Sequence, residues 1–540
     1  MAYSKIFSGD LPEITNEIIQ YFKKDLTTLY SCIFVNRLWC RLAIPLLWEN
    51  PFSIPTKNYR CIEIYLSYLN DDNKTKFNEY EIINNLLPSN TLLFNYPSFI
   101  KCLNLGTIYI STKEWVCTLL DDDREKLEEL VYRSLFEIFI KNEGILYSFE
   151  IVMFAGIEYF DTMELILQNP NLTYNIKNLT FNIYNISFHD IINIVPFLKF
   201  LYSNCNSISS IILNFPIYNI NNRSLIEKYL SQIIISQNNL KKISFESNTI
   251  LYNPFLSLKN SNCSNTLNTI VFYYIDFNDI ICIFNEVFNH LNVLESIHIL
   301  YCHSINSNFI QQINKIIKPF KLKTLFMKEI SHFDSLQFLL KKFGNYLENF
   351  EFGSMREEYE ESRRKLLGLI INYCTNIKRF TSDKPDDNNI YLLIENIGQT
   401  INYINIDLNL NYSDDLSLII LQNLGQVLPS KLDYLSLSLS FNTKDFEIFL
   451  KNSQNTFIKK LLIRNIMKYD DKSILSYIKK YIMMKEKVKY LAYLELVPFS
   501  DTNKDLFYLK DEVNEFKLHN IVVRKYFDLC IIIKDIIYNK

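Results

Sequence analysis

One short pattern recurs along most of this chain: an apolar residue, two variable positions, a second apolar residue, one variable position and a third apolar residue. Its first copy is Ile100, Leu103 and Leu105. Further copies include Leu146/Phe149/Ile151, Ile176/Leu179/Phe181, Ile208/Ile211/Leu213, Leu240/Ile243/Phe245, Leu267/Ile270/Phe272, Leu294/Ile297/Ile299, Leu322/Leu325/Met327 and Leu347/Phe350/Phe352. Ile377/Phe380, Ile401/Ile404/Ile406, Leu432/Leu435/Leu437, Ile458/Leu461/Ile463, Leu491/Leu494/Leu496 and Leu518/Ile521/Val523 complete the series. The alternation fits a strand that buries one face. From Phe149 to Ile521 the middle residues recur at intervals of 24 to 33 residues, with a mean of about 28.6. That spacing lies at the upper end of the 20 to 29 residues of leucine-rich repeats. The 46-residue step from Leu103 to Phe149 is an outlier, and it points to an insertion around Asp121 to Asp123.

The stretches between bursts fit helices, for example Ile226 to Ile235, Ile280 to Leu291, Phe309 to Ile317 and Leu336 to Phe343. One strand and one helix per repeat predict an α/β solenoid over 100–540, a curved parallel sheet with outer helices in which each repeat buries its apolar face against its neighbours. The chain has only 9 glycines in 540 residues, so its turns must be made by other residues. Asparagine accepts left-handed backbone and bonds to its own main chain, and asparagine-rich loops are expected to take that role. The full template also closes with Asn or Cys, as at Asn248 and Cys302, where the side chain can satisfy backbone groups as the strand turns away.

The variable positions within each burst are expected to line the concave surface. Lys242, Glu246, Tyr273, His298, Phe326, Lys328, Tyr403, Asp407, Tyr434 and Arg464 are the candidates for contact with a target. Their mixture of aromatic and charged groups suits a protein or peptide ligand. The net charge of −3 gives no basic footprint for nucleic acid. No apolar run reaches the length of a membrane span. Eleven scattered cysteines without paired CxxC modules read as thiols in a reducing cytoplasm or nucleus.

No phosphate loop or nucleophile elbow is present. His298, Cys302 and His303 lack a fourth neighbour for zinc. The cluster Glu357, Glu358, Glu360, Glu361, Arg363, Arg364 and Lys365 has the spacing of helical ion pairs. The sequence therefore predicts no catalytic residues, no cofactor and no metal.

Residues 10–50 obey a different rule. Leu11, Ile14, Ile18, Ile19 and Phe22 recur at helical spacing, with Asp10 or Thr15 placed to cap; a second helix opens after Asp25, and a third leads through Leu42 to Pro45 and Trp48. Three short helices bury little core alone, so this unit is expected to lean on a partner or on the next domain of the chain. The segment 8–52 resembles an F-box, carried by Leu11-Pro12, Ile18 and Ile19, Asp25-Leu26, Leu29, Val35 and Trp39, and Pro45-Leu46-Leu47-Trp48. The longer run from Val35 to Leu42 and Trp48 to Phe52 is similar to F-box-like proteins multiplied in some fungi. Residues 53–99 read as a helical linker. The resemblance implies a module that binds a Skp-type adaptor and so joins a cullin-RING ubiquitin ligase, with Leu11, Pro12, Ile18, Ile19, Leu29, Val35 and Trp39 as the adaptor face and the repeats holding a target. The alternative is a repeat scaffold that works outside any ligase.

Overall fold

A computed structural model of the chain describes residues 11–23, 25–53, 59–80, 91–120, 124–153, 160–184, 188–215, 223–247, 252–330, 332–352, 359–382, 388–408, 414–466, 474–485, 487–496, 503–531 and 537. The fold is mixed α/β with mostly parallel strands. Two compact units are present: Met1–Ile270 with Cys282–Leu294, and Val271–Ile281 with Glu295–Lys540.

The first unit begins with three helices, α1 (Pro12–Tyr21), α2 (Leu26–Cys32) and α3 (Arg37–Leu47). Leu11 is the N-cap of α1 and Pro12 its first residue, a position where the missing N–H costs nothing. Thr15 does not cap the helix; its hydroxyl donates to the Leu11 carbonyl at 2.9 Å. Asp10 lies outside the described residues. Asp25 caps α2 through the Thr28 N–H, and Asn36 caps α3 through the Trp39 N–H. The helices close on Ile19, Leu29, Cys32, Trp39, Ala43 and Leu46. The chain then runs through the short helices Arg60–Leu66 and Asp71–Phe77. Buried Glu49 ties the helices to the first strand. Its carboxylate pairs with Lys23 at 2.5 Å and Lys101 at 2.9 Å, and its carbonyl accepts from the Lys101 and Cys102 N–H groups.

Strands β1 (Cys102–Asn104), β2 (Ser148–Met153), β3 (Asn178–Ile183), β4 (Ser210–Asn214) and β5 (Lys242–Glu246) come next in sequence order, each pair parallel. Their register matches the repeat pattern: Leu103 pairs with Phe149, Phe149 with Leu179, Leu179 with Ile211 and Ile211 with Ile243. Two helices, Leu105–Cys117 and Arg124–Lys141, fill the long first step. Phe149 meets Phe197 of the helix Phe188–Asn204 at 6.0 Å, so the middle residues face the helical layer.

Strand β6 (Thr269–Tyr273) contains the division between the units. The second unit continues with β7 (Ser296–Leu300), β8 (Lys321–Met327), β9 (Asn349–Phe352), β10 (Arg379–Ser382), β11 (Tyr403–Asp407), β12 (Lys431–Leu439), β13 (Phe457–Ile466) and β14 (Val488–Leu496), again parallel and in sequence order. β15 (Lys504–Asp505) pairs antiparallel with β14, and β16 (Val522–Val523) pairs with it parallel. Helices stand between the strands, including Phe333–Phe343, Glu360–Tyr373 and Thr443–Asn452. In Glu360–Tyr373 the expected ion pairs form, Arg364 with Glu360 at 2.6 Å and Lys365 with Glu361 at 2.7 Å. Arg363 is buried instead of solvated; Glu357 and Glu358 lie outside the described residues.

Among the described residues, the non-glycine positions with left-handed backbone are Glu143, Ser247, Tyr274, Tyr301, Ser304 and Asn520; the asparagine-rich loops 216–222 and 409–413 lie outside the described residues. Ser247, Tyr274 and Tyr301 each come directly after a strand, β5, β6 and β7 respectively. Asparagine caps helices here. Asn306 accepts from the N–H groups of Asn308 and Phe309, Asn442 from those of Lys444 and Asp445, and Asn104 from that of Thr107. Cys302 sits in the expected closing position, its thiol donating to the Leu300 carbonyl at 3.5 Å while burial pushes its pKa up to about 12. Asn248 lies outside the described residues. No described helix is long and apolar enough to cross a membrane.

Candidate binding face

Because side chains alternate across a strand, the variable positions of the second unit share the face turned away from the helices. The pairing places them in rows. One row runs His298, Thr324, Asn349, Arg379, Tyr403, Tyr434, Lys460 and Tyr490. A second runs Leu300, Phe326, Glu351, Thr381, Asn405, Ser436, Leu462 and Ala492.

The first row begins as a hydrogen-bonded ladder. His298 Nδ1 is 2.7 Å from Thr324 Oγ1, Asn349 Nδ2 donates to the same hydroxyl at 2.8 Å, and Arg379 donates to Asn349 Oδ1 at 3.4 Å. Tyr403 and Tyr434 then stack, ring centroids 4.4 Å apart and planes within 5°. Further along the strands Asp407 pairs with Arg464 at 2.7 Å, and the Arg464 Nε donates to Ser438.

A second group surrounds Glu351. Tyr301 donates its hydroxyl to Glu351 Oε1, and Lys328 stands over the rings of Tyr274 and Tyr301 at 4.7 and 5.2 Å. Burial raises the Glu351 carboxyl to about 6, opposed by the Tyr301 hydrogen bond and the Lys328 charge. Its Oε2 is buried with no hydrogen-bond partner among the described residues.

Of the candidates taken from the sequence, His298, Phe326, Lys328, Tyr403, Asp407, Tyr434, Arg464 and Tyr273 belong to this unit. Phe326, Tyr403 and Tyr434 do not stand open to solvent; they are 3%, 4% and 3% exposed. The chain itself covers them. A short helix, Tyr526–Leu529, seats Tyr526 and Leu529 in a cluster with Tyr403, Tyr434, Leu462, Ala492 and Leu494. Ile537 packs with Val271, Leu300 and Phe326, flanked by Tyr273 and Tyr301. Burial pushes the Tyr434 phenol up to about 12, partly offset by a hydrogen bond from the Ile531 backbone.

Lys242 and Glu246 lie in the first unit. Burial lowers Lys242 to about 8. Glu246 is buried and accepts from Ser244 at 3.3 Å. A polar ladder occupies the neighbouring strands: Asn182 donates to Glu150 at 2.5 Å, and Asn214 donates to Asn182 and to the Tyr184 hydroxyl, both at 3.0 Å.

The residues proposed from the sequence for the helical unit divide in two. Ile19, Leu29 and Trp39 are interior packing of α1 to α3, and Ile18 packs partly against them. Pro12 and Val35 are exposed and Leu11 half-buried. Around them Ile14, Tyr21, Leu26, Tyr30 and Phe34 are exposed, Tyr21 and Phe34 at 86% and 73%.

Sequence reasoning missed Glu351, Asn349 and Arg379, although their place between the apolar positions of two bursts marked them. It also missed Tyr526, Leu529 and Ile537, whose signal was apolar residues continuing past the last burst. The described residues bring no group of three metal-ligating side chains together. His303 lies 3.0 Å from Glu329. Comparison of the sequence with protein-family models and with curated proteins finds no match.

Proposed function

We propose that this protein is a substrate-recognition subunit of a Skp-cullin-F-box type ubiquitin ligase, with α1 to α3 as an F-box that binds the adaptor and leucine-rich repeats that bind a target protein. The observation that carries this reading is the set of large apolar side chains left bare on a unit this small: Ile14, Tyr21, Leu26, Tyr30, Phe34 and Val35. Exposed apolar side chains on a short helical unit gain free energy by burial against another helical protein. The resemblance of the segment to an F-box gives that partner its class. Catalysis is not assigned to the chain; proximity of target to a ubiquitin-loaded enzyme supplies the function.

Capture of a Skp-type adaptor by the full chain tests the reading. Tyr30→Asp with Phe34→Asp, both on exposed positions, is expected to abolish capture while leaving the thermal melt unchanged, and Leu11→Ala with Pro12→Ala to weaken it. Failure of the unmodified chain to hold any such adaptor, or equal capture by these variants, overturns the proposal. Adaptor retained without a cullin points to a scaffold outside a ligase.

A further inference from the structure

We propose that the helix-distal face of the second unit is a peptide-binding groove, that residues 526–531 and Ile537 occupy it as a tethered ligand, and that the partner it takes presents the same chemistry. That partner is a segment of low net charge carrying an aromatic residue and a leucine three apart on one helical turn, with an aliphatic residue about eight positions beyond the leucine. The inference rests on the reading that the repeats hold a protein ligand, and it identifies the kind of segment held.

Two apolar pockets are separated by a polar floor. Tyr526 and Leu529 fill the one built on Tyr403, Tyr434, Leu462 and Ala492. Ile537 fills the one built on Val271, Leu300 and Phe326. Between the pockets the in-register positions are Glu351, Thr381, Asn405 and Ser436, side chains able to bond with the backbone of a bound segment.

Among the described residues, the occupant's helix has four residues and the strand before it has two. Short elements of this kind open at low free-energy cost. Tethering, on the other hand, gives the segment an effective concentration in the millimolar range. A partner must therefore displace it, and its apparent affinity falls by the fraction of molecules that are open.

A fluorescent peptide of residues 525–540 provides the probe. Full-chain Leu529→Asp with Ile537→Asp is expected to bind it at least tenfold more tightly than the unmodified full chain. A scrambled peptide is expected to bind neither. Equal affinity for both chains, or no binding to a variant that still melts cooperatively, overturns the proposal. A measurement on the unmodified chain needs no variant: Cys530 sits between the two pockets in sequence and packs on the first. Saturating peptide is expected to speed its modification by a thiol reagent at least fivefold, read by mass spectrometry, and an unchanged rate overturns the proposal. Adaptor capture by the double variant is expected to equal that of the unmodified chain, which separates failure here from failure of the ligase reading.

Discussion

Glu351 shows what a single buried residue does in this face. Its carboxyl titrates near 6 instead of its ordinary 4.5, chiefly because burial penalises the anion. The folded state therefore holds the proton more tightly than the unfolded one. Stability from this group is fully present below pH 4.5 and is lost as the pH rises through 6. At about 1.4 kcal/mol per pH unit, the loss is about 2 kcal/mol. Glu351→Gln keeps an acceptor for Tyr301 and removes the charge. The variant is expected to melt roughly 5 °C above the unmodified protein at pH 7.5, given about 2–4 °C per kcal/mol for a unit of this size, and at the same temperature near pH 4.5. A difference independent of pH would show that the buried charge is not the cause. Nothing in the sequence sets Glu351 apart from other variable positions, because its burial depends on Tyr301 and on the row of residues beside it.

At the scale of the strand and helix, two of the described glycines sit in opposite surroundings. A Cβ on Gly344 would stand 2.6 Å from the Tyr373 carbonyl oxygen and 3.0 Å from the Cys374 sulfur, at the end of the neighbouring helix Glu360–Tyr373. Gly368, inside that helix, has nothing within 4 Å of its missing Cβ. Gly344→Ala is expected to cost about 1–3 kcal/mol by overpacking, and Gly368→Ala to stabilise by about 0.5–1 kcal/mol through helix propensity. Urea unfolding of the two variants checks both signs. The register of the strands was largely legible from the apolar triplets, since Leu325 with Phe350, Phe350 with Phe380, Phe380 with Ile404, Ile404 with Leu435 and Leu435 with Leu461 pair as the pattern requires. Two places depart from it. An irregularity between Ile297 and His298 pairs Ile299, instead of Ile297, with Leu325. In β14 the residue opposite Leu461 is Leu491, not Leu494. Ala492, Leu494 and Leu496 there pack under residues 526–531, so both faces of the strand are apolar and alternation no longer reveals which one meets the helices. The last burst is displaced as well: Val523, not Ile521, lies next to Leu491, and Leu518 ends a helix at 82% exposure.

For the whole molecule, the two proposed contacts draw on different residues and so make a joint prediction. Adaptor capture is assigned to exposed side chains of α1 to α3, whose own core of Ile19, Leu29 and Trp39 is complete without a partner. Peptide capture is assigned to rows of β-strand side chains whose apolar members pack against residues 526–531 and Ile537. Substitutions that share no partner usually add in free energy within about 0.5 kcal/mol. Combining Tyr30→Asp and Phe34→Asp with Leu529→Asp and Ile537→Asp in one chain should therefore lose adaptor and gain peptide, each to the extent seen in the separate variants. Isothermal titration of the four chains, unmodified, two parents and combination, with peptide and with a Skp-type adaptor measures both terms. A coupling above about 1.4 kcal/mol, a tenfold change in either affinity, would mean that the two proposed contacts are linked and that filling the groove reports to α1 to α3.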